Sequence, residues 1–184
     1  MRPERLLAIL IVCGVVAVIV VVVLIAGEPA PPAQGLPAGD GRPAGTLEDA
    51  VVVRIADGDT VTIEIDGRRE RLRYVGVDAP EVANPEAGID AECGADAARD
   101  ANGALVDGER IYLEPDTTDR DRFGRLLRHP WLERDGNWFL VTEQLVSDGA
   151  IEARSFTPDT LHDRRLDDAE RSARAAGAGI WGDC

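Results

Sequence analysis

Two segments bring carboxylates and an arginine into register: DGDTVTIEIDG at residues 57–67 and RLRYVGVDAPE at residues 71–81. Both read as β-strands joined by a tight turn, so Asp59, Asp78, Glu81 and Arg73 fall on or beside neighbouring strands. Acidic side chains gathered at strand ends can hold a hard cation such as Ca2+, which takes oxygen ligands. The carbonyl of Ala79, next to Asp78, can add one more. An arginine beside them can take the phosphate that such a cation bridges, because its planar fork meets two oxygens at once. A later segment, DRFGR at residues 121–125, supplies a second guanidinium, Arg125. The chemistry that fits is phosphodiester hydrolysis. In-line attack builds negative charge on the phosphate oxygens, which a cation and two arginines oppose. Glu81, set in a stiff turn by Pro80, is the carboxylate placed to take the water's proton.

Each of these residues also has an ordinary reading. Asp57, Asp59 and Asp66 are common turn formers. Asp78-Ala79-Pro80-Glu81 reads equally as a plain strand exit, and either arginine as a solvated surface charge. Their joint occurrence at these spacings is what points to a site.

The elements that must position them follow from pattern. Residues 50–56 are a β-branched run, and Asp57-Gly58 and Asp66-Gly67 are hairpin signals. Val61, Ile63 and Ile65 alternate with Thr62, Glu64 and Asp66, the period of a strand buried on one face. Residues 69–77 give a third strand. A helix is predicted over 95–106, stopped by Gly108, then a fourth strand over 110–114, a loop over 115–124 and a fifth strand over 125–132. Asn137 is expected to cap a short helix with Leu140, Leu145 and Val146 inward. A last helix is expected over 158–176. The order β-β-β-α-β-β-α-α is that of an α+β, mainly β fold: a five-stranded OB-fold barrel flanked by three helices.

The N-terminus is of another kind. Residues 6–26 are an unbroken apolar run after Arg2 and Arg5. That is about the length of a helix crossing a bilayer core of ~30 Å, with the positive flank kept in the cytoplasm. Two readings stand: an uncleaved transmembrane anchor, and a cleaved secretory signal. Both place the rest of the chain outside the cell. Residues 27–47, rich in Pro, Gly and Ala, read as an extended linker, so the folded domain is expected over 48–184.

The chain carries a formal net charge of −14, and all its basic residues are arginine. An acidic surface repels nucleic-acid phosphates at long range, which argues against a passive, high-affinity binder. It argues less against an enzyme that meets phosphate through a cation and a local arginine cluster. Of the three cysteines, Cys13 lies in the apolar run. Cys93 and Cys184 are either a disulfide, which persists in an exported domain, or two free thiols. No C-x-x-C pair suggests zinc. His129 and His162 read as structural or solvated, and Trp131, Trp138 and Trp181 as packing anchors.

At this point the sequence resembles the staphylococcal-nuclease-like thermonucleases. DGDT at 57–60, RYVGVDAPE at 73–81, CGADA at 93–97, DRFGR at 121–125, LVSDGAI at 145–151 and GIW at 179–181 follow the family's order. The resemblance implies an OB-barrel with three helices and calcium-dependent cleavage of DNA and RNA. It implies calcium ligation by Asp59, Asp78 and the Ala79 carbonyl, with Asp57 as an acid just behind the metal. Glu81 matches the acid that organises the water, and Arg73 and Arg125 the two arginines on the scissile phosphate. Arg122 and Phe123 fall where the family contacts the terminal phosphate of a bound nucleotide. The family's base-stacking tyrosines are poorly matched, with Phe156 alone near a suitable position. No protein partner is expected, and the domain is expected to act as a monomer. The alternative from another class is a non-catalytic OB-fold module that binds nucleic acid or a protein at the membrane surface.

Overall fold

The computed structural model describes residues 41–86 and 88–184. The expected apolar span at 6–26 and most of the linker lie outside these residues. Among the described residues, no helix is long and apolar enough to cross a membrane.

Strands β1 (Glu48–Ile55), β2 (Thr60–Ile65) and β3 (Arg68–Tyr74) form the expected antiparallel meander. Asp66 and Gly67 take φ of 50° and 71° at its second turn, the left-handed pair that suits a two-residue hairpin. A two-residue strand, β4 (Val77–Asp78), precedes helix α1 (Ala95–Val106). Strand β5 (Arg110–Arg120) then pairs with the free edge of β1, and β6 (Leu126–Arg134) with β5. Strand β6 also runs parallel to β3, through Leu72↔Leu126 and Tyr74↔Arg128. That last pairing closes five strands into a barrel in the order β3-β2-β1-β5-β6. Val52, Val61, Ile63, Leu72, Ile111 and Leu113 are buried in the core. Each contributes about 1.5–3 kcal/mol by leaving water.

The rest of the chain departs from expectation in three places. Residues 115–120, expected as loop, continue β5, and only residues 121–125 turn into β6. The ladder with β6 is irregular between Pro115 and Arg120, and the stretch is held from outside, with the Thr118 N–H donating to Asp159 Oδ1 at 2.7 Å. Asn137 caps no helix. It opens β7 (Asn137–Leu140), paired with β6 through a turn at Asp135 and Gly136, both at positive φ. Helix α2 (Val141–Ser147) starts directly after it, and buries Leu145 and Val146 as expected. Strand β8 (Glu152–Ala153) follows and pairs with β4. The last long helix, α3 (Asp163–Ala176), begins five residues later than Pro158. One further helical turn, α4 (Ile180–Asp183), ends the chain.

A buried polar cluster fastens the start of α3 to the barrel. Glu114 Oε2 on β5 accepts from Trp131 Nε1 on β6 and lies 2.8 Å from His162 Nε2. Asp116 Oδ2 accepts the Leu161 N–H at 3.0 Å and lies 3.2 Å from His129 Nε2. The two histidines meet edge to face, so neither is a solvated side chain. Burial and the neighbouring His162 hold His129 below the usual imidazole range.

The cysteine alternative is settled in favour of the bridge: Cys93 and Cys184, 91 positions apart, are disulfide-bonded. The bond ties the last residue to the start of α1.

The bridge and the polar cluster each give a stability test. A cross-link closing so long a loop is worth about 2–4 kcal/mol. Reductant should therefore lower the urea midpoint of the wild type and leave that of Cys184→Ser unmoved; equal behaviour of the two would refute the assignment. Burial alone would raise the Glu114 and Asp116 carboxyls. Hydrogen bonds from His162 and Trp131, and from the Leu161 N–H and His129, hold them below their ordinary range instead. A carboxyl depressed in the folded state stabilises the fold above its unfolded pKa, and that stability is lost as pH falls through the folded value. The urea midpoint should thus drop from about pH 5 to about pH 3. Glu114→Gln should flatten the drop, and an equally steep drop in the variant would rule the cluster out as its source.

Candidate active site

The turn between β1 and β2 carries the first acids and is fixed from three sides. The Asp57 carboxylate accepts the Asp59 N–H at 3.0 Å, and the Asp59 carbonyl accepts the Tyr74 N–H at 2.9 Å. From α1, Asn102 donates its Nδ2 to the Asp57 carbonyl at 3.0 Å. The Asn102 Oδ1 accepts the Tyr74 hydroxyl at 3.0 Å, and both side chains are fully buried. Gly58 leaves no room for a side chain, since a Cβ there would lie 2.8 Å from the Ala79 Cβ and 2.9 Å from that of Ala98. The glycine lets the turn press against both β4's exit and α1.

Asp59 is thereby driven inward, to 5% exposure. Its Oδ1 accepts the Thr60 hydroxyl at 2.9 Å, and its Oδ2 accepts the Ala79 N–H at 2.8 Å. Arg73 Nη1 forms an ion pair with the same Oδ2. Burial pushes the Asp59 carboxyl up to about 7, and Asp57 adds to the push, against the pull of Arg73. Arg73 Nη2 reaches across to Asp78 Oδ1 at 2.9 Å. One guanidinium therefore joins two carboxylates that come from β2's entry and from β4.

Arg125 arrives from the β5–β6 turn. Asp121 holds it, accepting its backbone N–H at 2.9 Å and its Nε at 2.6 Å. Its Nη1 lies 3.4 Å from Thr60 Oγ1, which itself bonds Asp59. Arg73 thus ends at the Asp59 carboxylate, and Arg125 at the hydroxyl that bonds it. Glu81 stands at the rim, exposed. Its N–H donates to Glu92 Oε2 at 3.0 Å, and its carbonyl accepts the Glu92 N–H at 2.9 Å. Partial burial, then the charges of Asp57 and Asp78, raise its carboxyl above the usual range.

These groups share one cleft of ≈ 530 Å³, whose walls include Asp57, Asp59, Arg73, Asp78, Glu81 and Arg125. That volume suits a small-molecule-sized group such as a nucleotide. Arg122 and Phe123 do not line it. Phe123 is 67% exposed, with the Arg122 guanidinium 4.7 Å and that of Arg125 5.6 Å from its ring.

The oxygens suit a hard cation. Two carboxylates converge on one positive charge, one is buried and short of compensation, and sulfur and imidazole donors are absent from the cleft's walls. Among the described residues, no three Asp, Glu, His or Cys side chains form a ready cage. Two carboxylates with a carbonyl and water would complete such a shell.

Comparison with known proteins gives the family. The sequence pattern of the family described as "Staphylococcal nuclease homologue" matches residues 71–183. The chain belongs to the staphylococcal nuclease family. It is similar to the "Thermonuclease" of Staphylococcus hyicus, 30% identical over 130 residues, covering 71% of this chain and 73% of that protein. It is similar to the "Thermonuclease" of Staphylococcus intermedius, 29% identical over 134 residues, covering 73% and 76%. It also matches "Endonuclease YncB" of Bacillus subtilis (strain 168), 32% identical over 139 residues, covering 73% and 62%. Membership of this family makes the chain a nuclease homologue.

Sequence reasoning missed several residues around the cleft. Asp121 opens the DRFGR motif, but its role as the anchor of Arg125 needs the turn geometry. Arg154 enters from the end of β8 and pairs with Asp78 Oδ2 at 2.7 Å. Asn102 had one available signal, a polar residue on the inward face of an alanine-rich helix.

Asn102 gives a direct test of how the site is held. Asn102→Ala strands the Tyr74 hydroxyl in the buried core and takes the donor from the half-buried Asp57 carbonyl, at about 1–3 kcal/mol for each group. Urea denaturation should show a loss of about 3 kcal/mol. A loss under about 1 kcal/mol would mean that the bridge does not hold the turn.

Proposed function

We propose that this protein is a calcium-dependent nuclease that hydrolyses phosphodiester bonds of DNA and RNA. The single observation that supports it most is the convergence of Arg73 and Arg125 on the Asp59 pocket, with Asp78 and Glu81 in the same cleft. Asp59, Asp78 and the Ala79 carbonyl are the proposed calcium ligands, with Asp57 behind them. Calcium, when bound, supplies positive charge beside the scissile phosphate and its attacking water.

The chain's own groups do the rest. Arg73 and Arg125 enter from different elements, so their forks can meet different non-bridging oxygens of one phosphate. Charge on those oxygens grows toward the transition state, so both contacts strengthen as the reaction proceeds. Glu81 orients the water and takes its proton. Its raised carboxyl is a better base than an ordinary surface glutamate. Glu92, bonded to both ends of the Glu81 peptide, fixes where that carboxylate stands. Arg122 and Phe123 are proposed to meet the substrate beside Arg125, from the exposed turn. The non-catalytic alternative loses ground because each of Arg73, Glu81 and Arg125 is present.

We further propose that residues 6–26 anchor the chain in a membrane, with residues 48–184 as a monomeric nuclease domain outside the cell; cleavage of the segment would instead release it. The apolar run and its positive flank support this reading.

The test is cleavage of denatured DNA by the full-length protein with calcium, with magnesium and with chelator. Calcium-dependent cleavage is expected, and its absence would sink the nuclease reading. Glu81→Gln should lower kcat about a hundred- to ten-thousandfold. Arg125→Ala should lower it about a hundred- to a thousandfold. Circular dichroism should show both variants folded, and near-full activity in either would remove that residue from its role.

A further inference from the structure

The chain is acidic, and most arginines of the barrel are neutralised by carboxylates. Arg73, Arg120, Arg125, Arg128 and Arg154 each form at least one ion pair. The outer face of β3 carries two that are not so paired. Arg69 and Arg71 are exposed and form no ion pair with a described residue. They share a face with Arg73, because side chains two apart on a strand point the same way. Register confirms the row. Arg73 stands opposite Thr60, Arg71 opposite Thr62 and Arg69 opposite Glu64 on β2. On the far side of Thr62, β1 places Arg54 in line with Arg71, also exposed and without an ion pair to a described residue. Among the residues that register sets opposite Arg54, Arg69 and Arg71, Glu64 is the one acid.

The row leads out of the cleft. Arg71 already forms part of the cleft wall with Arg73 and Arg125. From there, successive guanidinium groups step outward at about 6.5–7 Å per two residues of strand. That repeat is comparable to the spacing of phosphates along an extended single strand. Arg69 and Arg71 are like charges on one face of a rigid strand, and their mutual repulsion is cancelled by no ion pair with a described residue: Arg71 has a neutral threonine across the strand, and the acids of the cleft wall beside it are engaged by Arg73 and Arg154. A polyanion relieves it.

We propose that the outer face of β3, centred on Arg71 and extended by Arg69, binds the phosphate backbone of single-stranded nucleic acid running out of the cleft. The direction of the track rests on reading the Arg73–Arg125 cleft as the place of cleavage. The track would supply local attraction that the acidic surface as a whole lacks. It would favour polymers over short substrates, since only a longer strand reaches Arg69. A duplex would meet it poorly, because a rigid double helix cannot lie along β3 and also offer one phosphate to the cleft.

The test measures binding apart from turnover. Full-length protein in chelator is titrated against a fluorescently labelled oligothymidylate of twenty nucleotides at several salt concentrations. Arg69→Ala with Arg71→Ala should weaken binding about tenfold at low salt. It should also reduce the slope of log affinity against log salt by about 1.4, or roughly 0.7 for each of the two phosphates left without an arginine on a single strand. Arg71→Lys should restore most of the slope, because the phosphate is met by charge. On denatured DNA with calcium the defect should appear in KM and not in kcat. Unchanged affinity and slope in the double variant would overturn the track while leaving calcium-dependent cleavage by the wild type to stand. Weakened binding in the double variant of a protein that cleaves nothing would keep the track and remove the nuclease reading. A wild type that neither binds nor cleaves removes both.

Discussion

A buried amide holds the site together. Asn102 on α1, itself fully buried, bonds the Tyr74 hydroxyl with one end and the Asp57 carbonyl with the other. No regular ladder could supply those two bonds, because the Asp57 carbonyl sits in a turn and the phenol projects from the end of β3. With the amide in place, the turn at 57–60 has one position relative to both the helix and the barrel. The Asp59 carboxylate then points inward, where the Ala79 N–H and the Thr60 hydroxyl can meet it. Gly58 is a consequence of the same constraint: a turn pulled this close to α1 cannot carry a side chain there.

From that fixed acid the charges are laid out by pairing. Arg73 lies between Asp59 and Asp78, Asp78 lies between Arg73 and Arg154, and Arg125 is gripped by Asp121. Each guanidinium is thus aimed before any substrate arrives, so little side-chain entropy remains to be lost on binding. The arrangement has a cost. Every pair that aims an arginine also neutralises part of its charge, and phosphate must compete with the resident carboxylate. At Asp78 a bound cation would ease that competition, since it would occupy the same oxygens that now hold Arg73 and Arg154. Metal and arginines would then be coupled through shared acids, and removing one acid would disturb both.

The barrel was largely legible because its turns announce themselves. Asp-Gly pairs and a clean alternation over Val61, Ile63 and Ile65 leave few other ways to fold residues 50–74. The cluster of Asp59, Arg73, Asp78, Glu81 and Arg125 was legible for the same reason, since a meander brings strand ends together. What stayed hidden depends on contacts between distant segments. Residues 115–120 look like loop because they are polar and depart from the regular β5–β6 register, and Asp159, far along the chain, takes the Thr118 N–H. Asp135-Gly136 was a hairpin signal beside Asn137, and a capping residue was the weaker inference from the same letters. Arg154 owes its place to a two-residue pairing between β4 and β8, too short to leave a periodic trace. The span at 6–26 rests on composition alone.

An enzyme acting on a polyanion from a surface of net charge −14 faces a conflict that a basic protein does not. Screening limits its reach: at physiological salt, charges more than about 8 Å from a phosphate contribute little. What matters to a strand already at the cleft is therefore the composition of its immediate walls. There Arg71, Arg73, Arg125 and Arg154 face Asp57, Asp59, Asp78 and Glu81, so the walls are nearly balanced before a cation enters. A divalent ion would make the balance positive only where phosphate must sit, and only while it is bound. Under the proposed reading, seating of a phosphate in the cleft itself, as distinct from contact with the β3 arginines outside it, becomes conditional on the metal. The acidic exterior then has a physical role of its own: it discourages binding anywhere except along the few arginines that no carboxylate claims.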